Sequence, residues 1–62
     1  MKVTEAIRAL DTTEGYKLSS QLGMGWGYLK QKAGKVDTFT VAQMVTIISF
    51  FDGELKLEDF LQ

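Results

Sequence analysis

Apolar residues recur along this chain at helical spacing, and the pattern breaks at glycines and at small clusters of threonine and aspartate. Val3, Ala6, Ile7 and Leu10 make one apolar face at intervals of three and four, predicting a short first helix with Thr4 as its cap and Glu5 in its first turn. Asp11-Thr12-Thr13-Glu14-Gly15 then interrupts with capping and turn residues, and Thr13 is placed to cap a second helix over residues 16–22. A helix that short is marginal in water and must be held by packing. Leu22-Gly23-Met24 reads as a tight turn in which Gly23 takes a positive φ. A third helix begins near Gly25 and ends at Gly34 and the following Lys35-Val36-Asp37. Its start is weak, because Gly25 offers no capping side chain and an interior glycine costs about 1 kcal/mol against alanine.

The plainest local signal follows. Thr40-Val41-Ala42-Gln43 has the form of a capping box, with Phe39 and Met44 as the flanking hydrophobic staple, so a fourth helix should start at Thr40. Val41, Met44, Val45, Ile48 and Phe51 form its expected inward stripe. Ile47 and Phe50 fall beside that stripe and widen the apolar surface beyond what one small domain needs, which favours packing against a twin subunit over a helix simply central to its own core. Leu57, Phe60 and Leu61 suggest a last short helix closing the core. Asp52-Gly53 admits a rival reading as a two-residue hairpin loop, although the helical pattern before it favours helix. The expectation is therefore one all-α domain over residues 1–62.

Residues 16–35 organise the rest as two short helices joined at Gly23. Leu18, Leu22 and Leu29 can share a core, and Ser19 is small enough for the third helix to approach the second closely. With Leu29 inward and about 100° per residue, Gly27, Lys30, Gln31 and Gly34 face outward, with Tyr28 at one edge. Trp26 lies about 60° from Leu29 and has a purely structural reading, half-buried against the core.

Charge sharpens this picture. The net value of −1 hides a polarised chain: residues 15–36 hold Lys17, Lys30, Lys32 and Lys35 and no acid, giving +4. Residues 37–62 hold five acids and Lys56, giving −4, and residues 1–14 come to −1. A basic face opposite an acidic tail suits a surface that meets phosphate.

These marks, Leu18-Ser19, Leu22-Gly23-Met24, Tyr28-Leu29, Gly34-Lys35, then Phe39, Met44, Ile48 and Phe51, and the ending Leu57-Glu58-Asp59-Phe60-Leu61, are together similar to the Cro and phage-repressor type of helix-turn-helix family. The resemblance covers most of residues 5–61. It implies a lambda repressor-like domain of four to five helices with a helix-turn-helix, usually a homodimer, whose third helix enters the major groove of operator DNA. Carried over by position, the base-reading sites fall on Gly25, Trp26, Gly27, Lys30 and Gln31, and Lys17 and Lys35 are placed to touch phosphates. The chain departs from the family at Gly25 and Gly27, which have no side-chain donors, and at Lys32, which stands where an apolar residue often packs.

Other chemistry finds little footing. There is no cysteine or histidine, which excludes a disulfide framework and removes the usual zinc ligands and the commonest general base. No nucleophile has a partnering base, the acids do not match a calcium-loop spacing, and Gly23-x-Gly25-x-Gly27 follows a helix rather than a strand, unlike a dinucleotide loop. No enzyme activity, metal or cofactor is expected. No apolar run reaches the length of a membrane span and none follows Met1-Lys2, so a soluble, intracellular protein is expected, and the resemblance implies the cytoplasm of a bacterium or of a phage-infected host. The function expected is a dimeric repressor of Cro type, its partner double-stranded operator DNA. The alternative is a protein-binding modulator, an antirepressor or inhibitor, that uses the same fold without reading DNA.

Overall fold

Four α-helices and two 3-10 turns follow one another in the computed structural model, which describes residues 2–61: α1 (Lys2–Arg8), α2 (Thr12–Leu22), α3 (Trp26–Lys32), a 3-10 turn at Val36–Thr38, α4 (Val41–Phe50) and a 3-10 turn at Leu57–Phe60. Among the described residues there is no strand, and no helix is long and apolar enough to cross a membrane. The radius of gyration, 10.2 Å, matches the roughly 10.5 Å expected of a folded chain of this length. The core draws on every element, through Val3, Ile7, Leu18, Leu29, Ala33, Val36, Phe39, Met44, Ile47, Leu55 and Phe60.

Two junctions form as the sequence dictates. At the end of α2, Gly23 has φ 70°, its N–H donates to the Ser20 carbonyl at 3.2 Å, and the Met24 N–H donates to the Ser19 carbonyl at 3.0 Å. That paired arrangement satisfies carbonyls which the helix itself leaves open, and it needs a left-handed residue at its centre. At the start of α4, the Thr40 hydroxyl accepts from the Gln43 N–H at 3.1 Å while the Gln43 carboxamide accepts from the Thr40 N–H at 2.9 Å. Phe39 and Met44, the flanking pair, are both buried.

Elsewhere the structure corrects the expectation. Thr4 lies inside α1 rather than capping it, and Asp11, not Thr13, caps α2 by accepting from the Glu14 N–H at 2.8 Å. α2 thereby begins at Thr12 and carries Gly15 in its interior. On α4 the inward direction runs through Met44 and Ile47, whereas Val41 and Val45 are 69% and 55% exposed. Ile47 therefore belongs to the chain's own core, at 0% exposure, and is not on a surface that a second subunit could reach. Phe50 is half-buried and packs edge-to-face on Phe51, with ring centroids 5.5 Å apart. Near the end of the chain Leu55 and Phe60 enter the core, while Leu57 and Leu61 are exposed. Phe60 meets Phe39 edge-to-face at 6.2 Å. Asp52 and Gly53 both take positive φ, 51° and 92°, and the Glu54 N–H donates to the Phe51 carbonyl at 3.2 Å. The Asp-Gly turn thus forms, but it joins α4 to an irregular segment and not to a strand.

Candidate nucleic-acid interface

α3 is set on the body of the protein by its buried side chains and by its backbone. Leu29 and Ala33 point inward at 0% exposure, one turn apart. At the N-terminus Gly25 is extended and supplies no side-chain cap. The C-terminal carbonyls, by contrast, are all partnered. Those of Leu29, Gln31 and Lys32 accept from the N–H groups of Ala33, Gly34 and Lys35 at 2.9, 3.1 and 2.9 Å. The other two are met from α1: the Arg8 guanidinium donates to the Lys30 carbonyl at 3.2 and 3.4 Å, and the Thr4 hydroxyl donates to the Ala33 carbonyl at 2.5 Å. Thr4 and Arg8 stand four residues apart, on one face of α1. A cation at the C-terminal end also suits the helix dipole. Gly34 belongs to this junction, since a Cβ there would come within 3.1 Å of the Arg8 guanidinium. It makes room for Arg8 and does not turn the chain left-handed, as its φ is not positive.

Sequence reasoning gave Arg8 no role and read Thr4 as a cap. The signal available was the Thr4/Arg8 spacing, which has no meaning until α1 is known to meet the end of α3.

The residues expected to meet DNA separate into two groups. Gly27, Lys30, Gln31 and Lys35 are exposed along the outer side of α3 and just past its end, and Gly25 is exposed at its start. Lys17 is exposed on α2, where its ammonium lies 3.5 Å from the Glu14 carboxylate. Trp26 stands apart. It is half-buried, and its indole lies so close on Gly15 that a Cβ at that position would overlap the ring. Lys30 reaches back to this indole, its ammonium 5.2 Å from the ring centroid, within the range of a cation–π contact.

Lys32 is half-buried, and its ammonium sits 5.8 Å from the Tyr28 ring and 5.6 Å from the Phe39 ring. This explains how a lysine occupies a position suited to an apolar residue: its stem follows the aromatic surface and its charge stays at the rim. Among the described residues, no carboxylate lies within 4.0 Å of Lys30, Lys32 or Lys35. Nor do the described residues hold a cluster of three or more acidic or metal-ligating side chains.

No family model matches the chain, and no curated protein or solved structure matches it.

Proposed function

We propose that the protein is a DNA-binding transcriptional regulator of helix-turn-helix type, a Cro-like repressor that binds operator DNA as a homodimer with α3 in the major groove. The observation that carries this reading is the outer face of α3, where Lys30 and Gln31 are both exposed on a helix whose orientation is fixed by its own buried side and by α1. Lysine suits guanine O6 and N7, and glutamine suits adenine N6 and N7. Lys17, near the C-terminal half of α2, and Lys35 hold the phosphates. The exposed Val41 and Val45 replace Ile47 in the subunit contact, because they are the free apolar positions on α4.

Binding of a labelled duplex, followed by fluorescence anisotropy at several salt concentrations, tests the reading. The affinity should fall with salt by a logarithmic slope of about −0.9 for each phosphate contacted. Failure to bind any duplex from the neighbouring genomic segment, even at low salt, would reject it.

A second reading rests on the other end of α3. Its first turn offers Gly25 and Gly27, and Trp26 is committed to Gly15, so this stretch resembles a smooth contact surface more than a set of base readers. A protein-binding modulator would use it, together with Tyr28. Stoichiometric capture of one purified protein, with no salt-sensitive binding of duplex, would decide for that reading.

A further inference from the structure

Beyond the outer face of α3, Tyr28, Gln31, Lys32, Lys35 and Thr38 enclose an open cleft of about 320 Å³. That is near the lower end of the roughly 300–1,000 Å³ over which small-molecule sites are found. No carboxylate lines it. Asp37, next to Thr38, is exposed and makes no ion pair with either lysine.

The lining groups are already sorted into walls and donors. The Thr38 hydroxyl donates to the Lys35 carbonyl at 2.6 Å, so its proton is committed and its role is to hold the turn that closes the cleft. The Lys32 ammonium is steadied between two aromatic rings. Among the described residues, the ammonium groups of Lys32 and Lys35, the carboxamide of Gln31 and the phenol of Tyr28 have no hydrogen-bond partner. Two positive charges without a counter-ion select an anion, and the amide and the aromatic edge beside them suit a planar ring with polar edges.

We propose that this cleft binds a small phosphate ester carrying a planar heterocycle, the size and chemistry of a nucleoside monophosphate. Its phosphate lies between Lys32 and Lys35, and its ring edge meets Gln31 beside Tyr28. The inference stands apart from the DNA reading, but the two share Gln31 and Lys35, so a bound nucleotide and a bound duplex exclude one another. In a regulator, that exclusion would make the nucleotide an antagonist of operator binding.

The test is a titration of the isotope-labelled full chain, followed by amide chemical shifts. The probes are adenosine monophosphate, inorganic phosphate, adenosine and a short duplex. The nucleotide should give saturable shifts confined to residues 28–38, at least about tenfold tighter than phosphate or adenosine alone, equivalent to about 1.4 kcal/mol. Lys35→Gln and Lys32→Gln should each weaken it by about tenfold, and Lys17→Gln should not. Lys35 is exposed, so its replacement leaves the fold intact even if that of Lys32 does not. Equal binding of phosphate and nucleotide would overturn the proposal, as would shifts that never saturate or that respond equally to Lys17→Gln. Nucleotide failure with salt-sensitive duplex binding intact would remove the cleft and leave the DNA reading in place. Saturable nucleotide binding without any duplex binding would do the reverse.

Discussion

A methyl group at Gly15 would have to share space with the indole of Trp26. Alanine is worth about 1 kcal/mol over glycine inside a helix, yet here Gly15→Ala should lower stability by about 1–3 kcal/mol, because overpacking outweighs propensity. Urea unfolding checks the sign, and a red-shifted tryptophan emission would show the ring displaced into water. Gly27 gives the contrast. It is exposed, and a Cβ there meets nothing within 4 Å. Gly27→Ala should therefore raise the unfolding midpoint, by the equivalent of about 0.5–1 kcal/mol. Gly23 and Gly15 also differ in how far the sequence reveals them. Gly23 follows a helix-length apolar pattern and precedes a new one, so its left-handed turn is legible locally. Gly15 answers to a tryptophan eleven positions later, in another helix, and nothing near it in sequence announces that contact.

At the scale of elements, α4 states its start clearly and its rotation poorly. Thr40 and Gln43 make reciprocal bonds of short range, which a four-residue motif can specify. The rest of the helix carries an apolar arc about half its circumference wide, with Gln43, Thr46 and Ser49 on the other side, so periodicity alone cannot choose between a core face through Val41 and Val45 and one through Met44 and Ile47. Packing against α2 and the final 3-10 turn makes that choice. Two substitutions separate the roles. Ile47→Ala should cost about 2–5 kcal/mol and leave much of a domain this small unfolded at room temperature. Val45→Asp should leave the circular dichroism spectrum unchanged but abolish self-association through this face, as read by sedimentation equilibrium. An unchanged dimer in Val45→Asp would place the subunit contact elsewhere. The final segment was legible only in part: the run of Leu55, Leu57, Phe60 and Leu61 marks a closing element and Phe60 enters the core as its spacing implies, but the irregular chain before the 3-10 turn buries Leu55 and leaves Leu57 and Leu61 exposed.

For the molecule as a whole, the uneven distribution of charge was visible before any coordinate, and so was the projection of Lys30 and Gln31 from α3. What could not be read was how that helix is held. Its last turn depends on Thr4 and Arg8, more than twenty positions earlier in the chain and on another helix. Arg8→Ala should cost about 1–2 kcal/mol and should speed amide exchange in residues 29–35 more than in α4. Equal exchange throughout would mean that Arg8 does not anchor α3.

The grip of α1 on α3 falls on main-chain oxygens, a handle that every amino acid provides. The identity of the outward side chains is thus decoupled from the means of attachment. A library randomised at Gly27, Lys30 and Gln31 should return mostly soluble, cooperatively folding members, proline aside, with new binding preferences grafted onto an undisturbed frame.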